Sequence, residues 1–153
     1  MNPEPHWTAY LSALLAPVVA VLGSLLAYRQ WRLAQNKLKL DLFDQRFKVY
    51  EAARGLLASI MTSGEAKDDE VLKYMAATRE AKWLLCSNIA EYLNQQLYHN
   101  AINLQALAAG LKVAPIGETR TKNVLAQVET KKWFMAQYDV LDAQFAPFLQ
   151  LRH

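Results

Sequence analysis

The sequence predicts an all-α protein whose apolar N-terminal transmembrane helix continues into a cytosolic antiparallel bundle of about three long helices. Three observations lead to this prediction. A stretch of 22 residues without formal charge, from Trp7 to Tyr28, is followed directly by a cluster of bases. Apolar residues then recur at steps of three and four, and no segment shows the two-residue alternation of a strand. Helix breakers are few, since the 153 residues include only five glycines and five prolines.

The net charge of +3 is unevenly distributed along the chain. Residues 1–28 contain no Lys or Arg, residues 29–54 contain seven bases against three acids, and residues 55–153 contain ten of each. The excess positive charge therefore lies directly behind the apolar stretch, so the basic pI needs no nucleic-acid partner to explain it. The lone Cys86 excludes an intrachain disulfide and is typical of a reducing compartment.

The apolar stretch has the length of a membrane span. Its 22 residues would extend roughly 33 Å as a helix, which matches the hydrocarbon core of about 30 Å. Aromatic residues that favour the headgroup region stand at both ends. These predicted interface anchors are Trp7, Tyr10, Tyr28 and Trp31.

A cleaved signal peptide and a buried soluble helix are the alternatives to a span. A signal peptide has bases before its apolar region, whereas the sequence "MNPEPH" has none. A buried helix is usually shorter and lacks a basic flank on one side only. The flank formed by Arg29, Arg32, Lys37 and Lys39 favours a span with its C-terminal side in the cytoplasm. The same bases are expected to contact anionic lipid headgroups.

Small residues repeat along this stretch with a heptad spacing. The positions are Ala9, Ala13, Ala16, Ala20, Gly23 and Ala27. In lipid, such seams let helices approach closely, so the pattern predicts self-association. The alternative is that the seam faces lipid, because alanine is common in spans.

The sequence places a domain boundary after residue 31, with the tail and span at 1–31 and the bundle at 32–153. Strong helix formers occupy 33–61, and their apolar positions predict a face that packs against the bundle. That face consists of Leu40, Phe43, Phe47, Tyr50, Leu57 and Met61, and it is widened by Leu38, Leu42, Val49 and Leu56. Gly64 is expected to end this helix, and Asp68, Asp69 and Glu70 suit the positive end of the next one.

Two further helices are predicted. One runs from about 67 to 112, with a kink expected in the polar stretch 93–103, and turn residues Pro115 and Gly117 follow it. The other runs from about 119 to 145, and Pro147 is expected to interrupt it. Its predicted inner face consists of Val124, Val128, Met135, Tyr138, Leu141 and Phe145.

No pattern of residues indicates catalysis, a metal site or a cofactor. The histidines His6, His99 and His153 are far apart in the sequence, and no Gly-rich phosphate loop occurs.

We expect Cys86 to be a core residue and the carboxylate pairs Asp41/Asp44 and Asp139/Asp142 to be solvated. Arg54 occupies a position where the apolar face would continue, so it either pairs with an acid on a neighbouring helix or lies exposed at the bundle edge.

Four sequence blocks occur in order behind the apolar stretch: "QNKLKLDLFDQRFKVYEAA" (35–53), "ATREAKWLL" (77–85), "IAEYLNQQLY" (89–98) and "FAPFLQLR" (145–152). With them, the chain resembles a widespread family of small uncharacterised bacterial proteins that have a single inner-membrane span and a cytosolic helical domain. The resemblance covers nearly the whole chain and implies a bacterial inner-membrane location. It implies no catalytic residues.

The function expected from these features is that of a non-catalytic, single-pass inner-membrane protein whose cytosolic bundle binds a partner protein or self-assembles. The alternative is a membrane-perturbing effector or small channel-like subunit in stress or phage defence, triggered through its cytosolic domain. The predicted span contains no ionisable residue, which argues against an ordinary ion pathway. No nucleic-acid partner and no cofactor are expected.

Overall fold

The computed structural model describes the backbone of residues 7–113 and 115–150, and the side chains of residues 15, 17–113 and 115–150. All regular secondary structure in these ranges is helical, which confirms the all-α prediction. The elements are α1 (Trp7–Ser63), α2 (Asp68–Thr78), α3 (Ala81–Leu84), α4 (Ser87–Glu91), a π-helical segment (Tyr92–Tyr98), α5 (His99–Val113) and α6 (Glu118–Leu149).

The chain divides into two compact units, residues 1–41 and residues 42–153. Helix α1 contributes to both, with residues 7–41 in the first unit and 42–63 in the second. The second unit contains all the other helices and the buried core.

Helix α1 ends as the sequence predicts. Gly64 has a φ of +75°, a left-handed conformation that glycine adopts without steric cost, and its N–H donates to the carbonyl of Ile60 at 2.8 Å. The first turn of α2 then contains Asp68, Asp69 and Glu70. Their carboxylates lie where the helix dipole stabilises negative charge.

The core of the second unit begins at Val49 of α1. Apolar residues at three- and four-residue steps along α1 are almost completely buried, as are large residues of α6. One buried cluster contains Val49, Ala53, Leu56, Leu57, Ile60, Phe134, Leu141 and Phe145, among others. The predicted inner faces are therefore correct at Val49, Leu56, Leu57, Leu141 and Phe145. They are wrong at eight positions whose side chains are exposed: Leu38, Leu40, Leu42, Phe47, Met61, Val124, Val128 and Met135.

Helix α6 packs antiparallel to α1 and to α5. Along α1, Arg46 lies over the Phe148 ring, the Tyr50 ring contacts Phe145, and Gly64 lies beside the Lys131 side chain. Residue numbers thus rise along α1 as they fall along α6.

The N-terminal half of α6 pairs in the same way with α5. The Gln127 amide donates to the carbonyl of Leu107, and Gly110 lies close to the Asn123 amide. A Cβ at Gly110 would be 3.2 Å from Asn123 Nδ2, so this glycine permits the close approach of the two helices.

The prediction of about three long helices is wrong in the middle of the chain, where the expected second helix is divided. Residues 79 and 80 form a turn, and Leu85 and Cys86 adopt extended backbone conformations. This extended pair places Leu85 and Ile89 in the core and leaves Trp83 exposed. Burying Leu85 and Ile89 thus stabilises the fold more than continuing the helix would, even though the local residues are good helix formers.

The expected interruption at Pro147 is also wrong, because α6 continues to Leu149. A proline inside a helix removes one backbone hydrogen bond and crowds the carbonyl four residues earlier. Here the lost hydrogen bond and the crowding are confined to the last turn of α6. The side chains around it are held in place, since Phe145 is buried and Phe148 and Leu149 pack against the core.

The π-helical segment overlaps the polar stretch 93–103, for which the sequence predicts a kink. Its buried tyrosine, Tyr92, donates a hydrogen bond to Oε1 of Gln137 at 2.9 Å. The hydroxyl of Tyr74 on α2 donates to the carbonyl of Leu93 at 2.8 Å. Burial raises the pKa of Tyr92 to about 12 and raises that of Tyr74 as well. Both hydroxyls therefore remain protonated donors that attach the segment to α2 and α6.

Two neighbouring residues of α6 provide a test of this core. Phe134 is completely buried, whereas Met135 is 65% exposed. We expect Phe134→Ala to lower the free energy of unfolding by about 3–5 kcal/mol, because it removes packed apolar surface and leaves a cavity. Met135→Ala should change it by less than about 0.5 kcal/mol. Chemical denaturation followed by circular dichroism measures both, and equal effects would contradict the described orientation of α6.

Candidate functional site

The first unit presents a series of large, exposed apolar side chains. Each of those described between residues 15 and 26 is about half exposed or more. They are Leu15, Val18, Val19, Val21, Leu22, Leu25 and Leu26. Scattered exposed apolar residues are normal on soluble proteins, but a continuous apolar helix is usually buried in a core or in lipid.

Large and small residues occupy opposite sides of this part of α1. At about 100° per residue, Val18, Val21, Leu22 and Leu25 fall on one half of the helix surface. The small residues Ala20, Gly23 and Ala27 fall within about 60° of each other on the other half. Space around Gly23 is open, since a Cβ there would meet no atom within 4 Å. The helix thus has a bulky apolar face and a narrow small-residue face.

The one hydroxyl side chain in the described apolar part of α1 is satisfied within the helix. Ser24 Oγ donates to the carbonyl of Ala20, one turn earlier, at 2.8 Å. A serine bonded in this way exposes little hydrogen-bonding capacity, which is the form that an apolar environment tolerates best.

Aromatic and basic residues follow the apolar part of α1. The rings of Tyr28 and Trp31 contact each other with centroids 6.1 Å apart, and both side chains are exposed. The basic flank Arg29, Arg32, Lys37 and Lys39 is also exposed, and none of these residues forms an ion pair among the described residues. The flank is therefore available to external anions.

Within residues 15, 17–113 and 115–150, no helix is both long and apolar enough to span a membrane. The side chains of the predicted anchors Trp7 and Tyr10, and of the predicted seam residues Ala9, Ala13 and Ala16, lie outside the described residues.

Arg54 takes part in a polar cluster at the surface of the second unit. Its Nη1 donates to the hydroxyl of Tyr50 at 2.7 Å, and that hydroxyl donates to Oδ1 of Asp142 at 2.7 Å. The Arg54 guanidinium lies 3.9 Å from the same carboxylate. Hydrogen bonding to Asp142, together with partial burial, raises the pKa of Tyr50. The cluster joins α1 to α6, and more than half of the Arg54 and Asp142 side chains is exposed.

The expectation that Cys86 lies in the core is wrong. Its thiol is free and exposed, because the extended backbone at residues 85 and 86 turns Leu85 inward instead. Nδ1 of His99 lies 3.1 Å from the carbonyl of Gln95. No group of three or more potential metal ligands occurs within the described part of the chain.

Sequence patterns did not reveal a cleft between α2, α3 and the π-helical segment. It has a volume of about 560 Å³, which falls within the usual range for small-molecule sites. Its lining residues are Leu72, Tyr74, Met75, Ala76, Thr78, Arg79, Lys82, Asn94 and Tyr98. Two of them are bases and none is an acid. The breaks at residues 79–80 and the π-helical turn bring these residues together, and neither departure from the α-helix follows from the apolar spacing.

Comparison with known proteins gives no relative from which a role could be transferred. No protein-family model, no curated protein and no solved structure matches the chain.

Proposed function

We propose that the chain is a single-pass protein of the bacterial inner membrane, whose cytosolic helical bundle is a non-catalytic interaction and self-assembly domain. The observation that carries the proposal is the exposed apolar surface of residues 15–26, within a sequence of 22 residues that contains no charge. A lipid environment would remove this surface from water. The bilayer location also agrees with the family that the sequence blocks resemble.

The flanking residues support an orientation as well as a location. Tyr28 and Trp31 have the amphipathic character that suits the membrane interface, and the unpaired basic flank follows them directly. Bases concentrate on the cytoplasmic side of spans and interact with anionic headgroups there. The C-terminal unit would accordingly be cytoplasmic.

Self-association is supported by the small-residue face of α1. Without a hydrophobic driving force between helices in lipid, close packing decides which helices associate. Ala20, Gly23 and Ala27 would allow two copies to approach closely, while the bulky face contacts lipid. The bundle also has exposed apolar residues for partner contacts, including Ile116 at 95% exposure and Met135 at 65%.

Lysines placed in the apolar part of α1 test the membrane location. In the variant Val19→Lys with Leu22→Lys, each lysine would cost about 3 kcal/mol near the centre of a span. We expect the wild-type chain to remain in the membrane pellet after a urea wash, and the variant to be soluble or degraded. The control is Leu125→Lys with Val128→Lys, at exposed positions of α6. It should remain in the pellet, and a soluble wild-type chain would refute the proposal.

The exposed thiol of Cys86 tests the orientation. Because Cys86 is the only cysteine, a membrane-impermeant maleimide should label the chain in lysed cells and not in intact spheroplasts. A matched control carries Asn2→Cys in a Cys86→Ser background and should be labelled in intact spheroplasts. Labelling of Cys86 without lysis would show that the second unit lies outside.

Substitutions on the small-residue face test self-association. Gly23→Leu with Ala27→Leu should weaken the detergent-solubilised dimer by about tenfold, because bulk at these positions separates the helices. The space around Gly23 is open, so the change creates no clash within the chain. Val18→Leu with Val21→Leu adds bulk to the opposite face and should leave the dimer intact. Analytical ultracentrifugation measures both, and a strictly monomeric wild-type chain would contradict the proposal.

A further inference from the structure

We propose that the cleft between α2, α3 and the π-helical segment binds a small amphiphile with an anionic head, such as a phosphate or carboxylate, on an apolar body. The site is formed entirely by residues of the second unit and needs no contribution from the apolar part of α1. It is therefore independent of the membrane proposal.

The charge of the cleft determines the charge of its ligand. Arg79 and Lys82 both line it, and neither forms an ion pair with any described residue. The only described interaction of Lys82 is with the ring of the exposed Trp83, 4.8 Å from its ammonium. Some other bases of the bundle do have carboxylate partners; Lys73 on the neighbouring helix α2 is bonded to Glu70 at 2.8 Å. Two unpaired cations without an acid in the lining favour an anion.

The walls of the cleft determine the rest of the ligand. Leu72 and Met75 are 65% and 44% exposed although both belong to the cleft lining. These side chains provide an apolar surface that an inorganic anion would not cover. A ligand with both an anionic group and an apolar body would contact the bases and this surface together.

Polar groups of the π-helical segment complete the site. The Asn94 amide donates one hydrogen bond to the carbonyl of Ala90, which leaves its carbonyl oxygen available. The hydroxyl of Tyr98 has no hydrogen-bond partner among the described residues, although its ring packs against the core. Asn94 and Tyr98 can therefore hydrogen-bond a ligand without breaking any bond that stabilises the fold. Local π-helical turns are rare and frequently occur at functional sites.

A titration with three related probes tests the proposed chemistry. The full chain, solubilised in a non-ionic detergent, is titrated with 1-naphthyl phosphate, and binding is followed by fluorescence anisotropy. We expect saturable binding of this probe, at least about fivefold weaker binding of 1-naphthol, which lacks the charge, and little competition from inorganic phosphate, which lacks the apolar body. No saturable binding, or equal affinity for 1-naphthol and 1-naphthyl phosphate, would overturn the proposal.

Substitutions then assign the binding to the cleft. Arg79→Gln and Lys82→Gln should each weaken 1-naphthyl phosphate binding by about two- to fivefold, the effect of losing one exposed charge-assisted contact. Lys73→Gln removes the same charge from α2 outside the cleft and should leave the affinity unchanged. Ala76→Phe fills the cleft from an exposed position and should abolish binding while the circular dichroism spectrum stays native. Equal effects of Lys73→Gln and Arg79→Gln would show that only net charge matters and would refute the site.

The natural source of the ligand can be either a soluble metabolite or a membrane lipid, and a change of lipid distinguishes the two. In phosphatidylcholine nanodiscs the probe should bind as in detergent. Loss of binding in phosphatidylglycerol nanodiscs, relative to empty discs, would identify the lipid as the occupant, and retention would identify a soluble anion. This last comparison alone rests on the membrane proposal, so its failure is distinguishable from failure of the titration in detergent.

Discussion

The constraint on which the rest of the structure depends is the chemical division of helix α1. From Val49 to Ile60 its large apolar residues are buried in the core of the second unit, but between residues 15 and 26 its large apolar side chains are about half exposed or more. The free-energy gain from burying apolar surface is roughly 25 cal/mol per Å². The second unit obtains this gain from its own core. The large apolar side chains of the first unit are exposed, and burying them in lipid would give the same kind of gain under the proposed function.

Helix α6 connects two other helices of the second unit, because it packs against both α1 and α5. Its C-terminal half pairs with α1, where Phe145 contacts Tyr50, and its N-terminal half pairs with α5, where Gln127 bonds to Leu107. The middle of the chain contributes core residues such as Leu93 and Leu97, and specific hydrogen bonds attach it as well. Buried tyrosine hydroxyls and the bond from Arg46 to the carbonyl of Leu84 fix it in place. A buried hydrogen bond contributes little net stability when it forms. Removing one partner lowers the stability by more, because the other donor or acceptor is left buried without a hydrogen bond.

Sequence patterns predict those parts of the fold that depend on strong local signals. The end of α1 at Gly64, the acidic start of α2 and the burial of Leu57, Leu141 and Phe145 follow from spacing and residue type. The divisions of the helix at residues 79–80 and 85–86 do not follow from the sequence, because good helix formers occupy these positions. The burial of Leu85 in the core favours the divided form over a continuous helix. The exposure of Cys86 was missed for the same reason. At Pro147 the local signal predicts the end of the helix, but α6 continues past it. The residues on both sides of the proline pack against the core and keep this turn helical.

The cleft illustrates why a site can be invisible in the sequence of a helical protein. A single helix through residues 67–112 would distribute Arg79, Lys82, Asn94 and Tyr98 over more than four turns of one rod. The turn after Thr78 and the π-helical segment instead fold the two ends of this region against each other, as the bond from Tyr74 to Leu93 shows. Tyr74, whose hydroxyl bonds α2 to the π-helical segment, is thus also part of the cleft lining. Because burial raises the pKa of Tyr74, its hydroxyl remains a donor at physiological pH, and the bases that line the cleft are Arg79 and Lys82.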